Sequence, residues 1–239
     1  MELFKSELMK IKDKKIYMLG ALVPLPAIII SMNIMKNFKG NMGDVSALEV
    51  LISFSSMMYM GMLLPIFLLY TVIILNKIEG ESNGWRAMLI MPVKRKDIFL
   101  NKYLVVLSAA FLSVVSYLAQ NIIASIIVSK TVEVNIQIFY IILAVFISVL
   151  PFIGIVYFVA DKCKSIVVTL VIGMLMVLST IIIAQSKFWI FAPWTYPLVI
   201  GLGGLSTFME IFKVIILSLG IFIVIVAIDL KIFLKKDFI

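Results

Sequence analysis

Seven stretches without one charged residue dominate this chain: 16–35, 50–76, 103–129, 134–160, 165–186, 188–209 and 214–228. A helix needs about 20 mostly apolar residues to cross the hydrocarbon core of a bilayer. The first five runs meet that length directly. The last is short, but Lys213 and Asp229 stand near its ends, where side chains can snorkel toward headgroups, so 211–233 can span. With 63% hydrophobic residues and a mean hydropathy of +1.18, the chain is too apolar for a water-facing domain of 239 residues. The expected fold class is all-α and polytopic, a single transmembrane domain over 1–239.

The run 188–209, FWIFAPWTYPLVIGLGGLSTFM, is the ambiguous one. Pro193 and Pro197 each lack a helix donor, and its glycines weaken a helix. Trp189, Trp194 and Tyr196 favour the membrane–water boundary. The lysine distribution decides between six spans and seven. With six, both termini are cytoplasmic, and sixteen of the twenty-one basic residues lie inside. A seventh span would move Lys231, Lys235 and Lys236 outside and weaken that bias. Six spans are therefore expected, with 187–210 dipping into the outer leaflet and returning. Irregular backbone at that depth is tolerable only against protein or a wet cavity.

Composition also narrows the chemistry. Histidine is absent, which removes the commonest general base and metal ligand. The single cysteine, Cys163, can form no internal disulfide or zinc framework. No G-x-x-x-x-G-K-[ST] phosphate loop occurs, so the chain is not expected to hydrolyse ATP or to act as an enzyme. Asp161, Glu210 and Asp229 sit near span ends, leaving no ionisable group deep in a span, which argues against an ion-coupled carrier. The net charge of +8 fits lysines retained at a membrane surface, with no nucleic-acid partner implied.

Three segments are candidates for function. Residues 1–15 place Phe4, Leu8 and Ile11 on one helical face, as in a helix lying along the membrane surface; the alternative is a positive tail that only sets topology. The cytoplasmic segment 77–102 contains EGESNGWRAMLIMPVKRKDIFLNK. There an acidic pair precedes Trp85, and Pro92 precedes a basic cluster. Ser82 or Asn83 can cap a short helix here, whose apolar side chains suit the groove of a soluble partner. The alternative is an ordinary loop. In the third span, Ala109, Ser113, Ser116, Gln120 and Ala124 recur at spacings of three and four, a stripe for close helix packing or a cargo path.

This arrangement resembles the permease subunit of a type-2 ABC exporter. An N-terminal surface helix, six spans, the acidic-then-basic loop and the aromatic segment between spans five and six carry the likeness. The sequence APWTYP, Ala192–Pro197, is similar to the aromatic-proline segment of lantibiotic-immunity permeases. The resemblance implies a coupling helix centred on Ser82–Leu89, entered through Glu79 and Glu81 and including Trp85, Arg86 and Leu89. It implies a partner ABC ATPase dimer that holds the ATP and magnesium, with no cofactor in this chain. It also implies a second permease, itself or a sister subunit, in a bacterial cell membrane. The expected work is expulsion of amphiphilic, lantibiotic-type peptides, with Trp189, Pro193, Trp194, Tyr196 and Pro197 at the outer face. Alternatives are another drug or lipid cargo, or a non-transporting anchor or sensor subunit.

Overall fold

The computed structural model describes residues 15–37, 46–81, 95–129, 135–163, 165–205 and 207–235. Six helical stretches are long and apolar enough to cross a membrane: Ile16–Asn37, Ala47–Ile78, Arg95–Ser129, Ile136–Cys163, Ile166–Ala184 and Phe208–Lys235. They coincide with the six expected spans, and no strand occurs among the described residues. Residues 1–14, the expected surface helix, lie outside the described residues.

Local chemistry explains where several spans begin. Ser46 Oγ accepts from the Glu49 N–H at 3.3 Å, Asn135 Oδ1 from Gln137 N–H at 3.1 Å, and Ser165 Oγ from Val168 N–H at 3.4 Å. Each satisfies a donor that the first helical turn leaves without an intrahelical partner. Span three starts at Arg95, well before its charge-free run at 103. Its first two turns therefore carry Asp97 and Lys102 within the helix.

Proline interrupts three spans. The first breaks between Leu22 and Leu25, at Pro24; there Gln120 Nε2 of span three donates to the Ala21 carbonyl at 2.6 Å. The fourth breaks at Val149, two residues before Pro151. The second contains a π turn at Tyr59–Leu63, where the Leu64 N–H reaches back five residues to the Tyr59 carbonyl. Pro65 follows at once and has no N–H for the Gly61 carbonyl, so the regular ladder cannot pass through unchanged. A span tolerates such breaks when neighbouring side chains take up the freed backbone groups, as Gln120 does.

Spans two, three and four hold most of the core, with Leu51, Tyr59, Leu64, Leu68, Val106, Tyr117, Val145 and Ile153 fully buried. Span five packs on spans two and four, and span one on three and two. Span six lies along both halves of span four. It buries Val214, Ser218, Asp229 and Phe233, packs Ile211, Ile215, Ile221, Phe222, Val226 and Leu230 partly against the core, and turns its remaining apolar surface outward.

Candidate functional site

Spans two and three are joined by residues 82–94, which defines one end of the bundle. The segment between spans five and six lies at the opposite, far end. It opens with two 3-10 turns, Trp189–Phe191 and Pro193–Thr195, and continues as a short helix, Tyr196–Gly201. Pro193 and Pro197 fall at first-turn positions, where a missing N–H costs nothing and a fixed φ helps. Thr195 Oγ1 donates to the carbonyls of Ala192 at 2.8 Å and Trp189 at 3.2 Å, closing the turns.

The expected aromatic side chains of this segment face inward. Tyr196 is buried, its hydroxyl donates to the Ile190 carbonyl at 2.5 Å, and its ring meets Trp189 edge-on at 5.9 Å. Burial raises the Tyr196 phenol above its ordinary pKa. Trp194 Nε1 donates to Ser179 Oγ of span five at 3.1 Å. Pro197, Leu198 and Ile200 are buried where the short helix packs on span four and on the first half of span two. The side chains turned outward are Phe188, Ile190 and Phe191, with Phe191 81% exposed. The geometry assigns the tryptophans and Tyr196 to anchoring the turn and leaves the phenylalanines on the surface.

The helix ends in a glycine-dependent cap. Gly203 has φ +67°, its N–H bonds the Ile200 carbonyl at 3.1 Å, and the Gly204 N–H bonds the Val199 carbonyl at 3.1 Å. This six-to-one and five-to-two pairing is a Schellman closure, which favours glycine at its left-handed position. The segment turns back here toward span six.

On span three, the stripe residues serve two neighbours. Ser113 shares a 2.9 Å hydrogen bond with Tyr59 of span two, and Gln120 bonds the broken first span. Ser116 is half-buried, while Ala109 and Ala124 are buried. Beside the stripe lies a polar group that sequence reading missed. The Tyr59 and Tyr117 rings stack at 4.2 Å with 6° between planes. Ser55 Oγ lies 2.7 Å from the Tyr117 hydroxyl and donates to Asn121 Oδ1 at 3.3 Å. Ser113, Tyr117 and Asn121 repeat every four residues, a spacing that could have revealed them.

A second polar group sits toward the 82–94 end and corrects two expectations. Asp229 does not snorkel: it is fully buried, and Oδ2 accepts from the Tyr103 hydroxyl at 2.9 Å. Lys102 and Asp161 are also buried, so position near a span end did not mean access to water. The reason is the overlength of span three, whose first turns run beside the last turns of spans four and six and cover them. Phe99, Tyr103, Tyr157 and Phe233 fill the intervening space, with Tyr103 and Tyr157 centroids 4.3 Å apart and Lys102 Nζ 5.9 Å from the Phe233 ring centre. Glu79 and Glu81 fall in the last turn of the helix that ends span two, their side chains outside those described. Ser82, Trp85, Arg86 and Leu89 lie outside the described residues. Among the described residues no three His, Cys, Asp or Glu side chains converge as a metal site would need.

Six spans, a buried segment returning from the far end, and polar side chains spent on joining helices define a multi-pass membrane subunit. The family described as ABC-2 family transporter protein matches residues 3–176, and the chain belongs to that family. It is thus the membrane permease subunit of an ABC transporter, which works with an ABC ATPase and is not itself the ATPase. The match runs through the first four spans and into the fifth, stopping short of the far-end segment. No curated protein and no solved structure matches the chain.

Proposed function

We propose that this permease belongs to an exporter that expels lantibiotic-type antimicrobial peptides from the membrane, protecting the cell. The observation that carries the reading is the far-end segment. An inward aromatic-proline turn holds Phe188, Ile190 and Phe191 outward, and Phe208 and Met209 at the start of span six are exposed as well. A cationic amphiphile at the outer leaflet meets apolar surface at that depth. Both termini are cytoplasmic on this reading, because the lysines then concentrate inside. Glu79, Glu81, Ser82, Trp85, Arg86 and Leu89 receive the ATPase dimer, which holds ATP and magnesium. A second permease, a sister subunit or another copy of this chain, completes the pathway.

The test is lantibiotic sensitivity of cells expressing this chain with its ATPase, beside an ATPase-dead version. Resistance that disappears with the dead ATPase is expected. Replacing both Phe188 and Phe191 by serine should lower resistance at unchanged membrane levels. Stable assembly without resistance moves the cargo to another drug or lipid. Binding of the ATPase without any ATP-dependent movement supports a sensor or anchor role instead.

A further inference from the structure

The π turn of span two packs on the far-end helix, most closely at Met60 and Gly201. Met60 is fully buried on the π turn. A Cβ built on Gly201 would land on the Met60 Sδ and stand 3.3 Å from Ser56 Cβ. Glycine leaves the last turn of the helix room beside the Met60 thioether, which any Cβ would have to displace. One residue along, Tyr59 of the same turn is tied to span three through Ser113 and the Tyr117 stack. The neighbouring residue, Gly61, faces Leu198, whose Cδ2 would lie 3.4 Å from a Cβ there. The π turn therefore presents consecutive residues to span three and to the far-end segment.

A π turn beside a proline is the weakest point of a span's backbone ladder and the place where the helix can bend. The portion before it, Ala47–Met58, is held to span three by Ser55. The portion after it, Leu64–Glu81, leads straight to the segment at 82–94. We propose that Met60 and Gly201 are the positioning pair through which bending of span two reaches the far-end segment during ATP turnover. This rests on the reading that the ATPase engages 79–89. The far-end segment thereby moves with span two and is not a passive plug.

Size complementation tests the pair in the whole complex, reconstituted in lipid vesicles and assayed for magnesium-ATP turnover, which needs no identified cargo. Gly201→Val adds bulk where Met60 stands. It is expected to lower turnover about tenfold while the ATPase remains bound at the wild-type ratio. Met60→Ala makes room; alone it should stay within about twofold of wild type, and combined with Gly201→Val it should restore turnover to within about threefold. Wild-type turnover in Gly201→Val, or no recovery in the double variant, overturns the proposal. If Gly201→Val does not accumulate, Gly201→Ala is read in the same way, with and without Met60→Ala. Trp85→Ala is the control: unchanged ATPase binding and turnover there would remove the 79–89 reading, whichever way the Gly201 pair behaves.

Discussion

Replacing Tyr103 by phenylalanine isolates one atom of the buried group at the 82–94 end. The ring keeps its neighbours, with Tyr157 at 4.3 Å and Phe99 at 5.1 Å, so packing is conserved and only the hydroxyl is lost. That hydroxyl donates to Asp229 Oδ2 at 2.9 Å, and both residues are buried. A hydrogen bond to a charged group contributes about 1.5–3 kcal/mol, and its loss leaves the carboxylate less compensated. The reference is Tyr59→Phe, which keeps the 4.2 Å stack on Tyr117 and removes a neutral bond to Ser113. Neutral interhelical bonds in membranes average only about 0.6 kcal/mol, because helices separated in lipid find other partners. The expected gap is about 1.4 kcal/mol, or tenfold in the unfolding equilibrium. Detergent-driven unfolding in mixed micelles measures both variants in one system. Adding Asp229→Asn should then cost less in the Tyr103→Phe background than alone, since the bond it would weaken is already lost. Equal costs for Tyr103→Phe and Tyr59→Phe would refute the expectation that the bond to the Asp229 carboxyl is the stronger of the two.

Three further outcomes follow from packing. Gly173→Leu should destabilise the fold by about 1–3 kcal/mol, because a Cβ there already lands on the Leu69 side chain of span two; membrane abundance and unfolding report it. Trp194→Phe should cost about 1 kcal/mol by removing the Nε1 bond to Ser179, and protease cleavage between 185 and 195 should rise. Gln120→Leu should open the first span at its break, because the Ala21 carbonyl loses its 2.6 Å donor; amide exchange over 19–27 should quicken while span three stays protected.

The spans were legible because run length measures directly what a bilayer demands. Their ends were less so. Arg95, Lys96 and Asp97 look like loop by charge, yet they open the third helix, since a helix can continue into water once its inner turns are packed. That 188–209 would not form one continuous helix was legible from proline, glycine and aromatic crowding. Which aromatics face inward was not, because 3-10 turns and a six-residue helix carry no 3.6-residue period to read. Pro65 marks a break in the helix ladder of span two, but the extra residue of the π turn leaves no mark in the sequence. Tyr103 and Asp229 are 126 positions apart, and only the crossing of spans three and six brings them together.

Both polar groups have span three in common. At one end Tyr103 holds Asp229 of span six; farther along, Ser113, Tyr117 and Asn121 hold Tyr59 and Ser55 of span two. From Tyr103 to Asn121 a straight helix measures about 27 Å, close to the thickness of the hydrocarbon core. Side chains in that core find no water, so each group is worth most when it stays closed, and both closures are written on one unbroken helix. Spans one, two and four, by contrast, are each interrupted near a proline. A transporter needs some elements that bend and at least one that does not. The division of prolines and buried polar residues makes span three the rigid strut and span two, with its π turn, the element that bends against it.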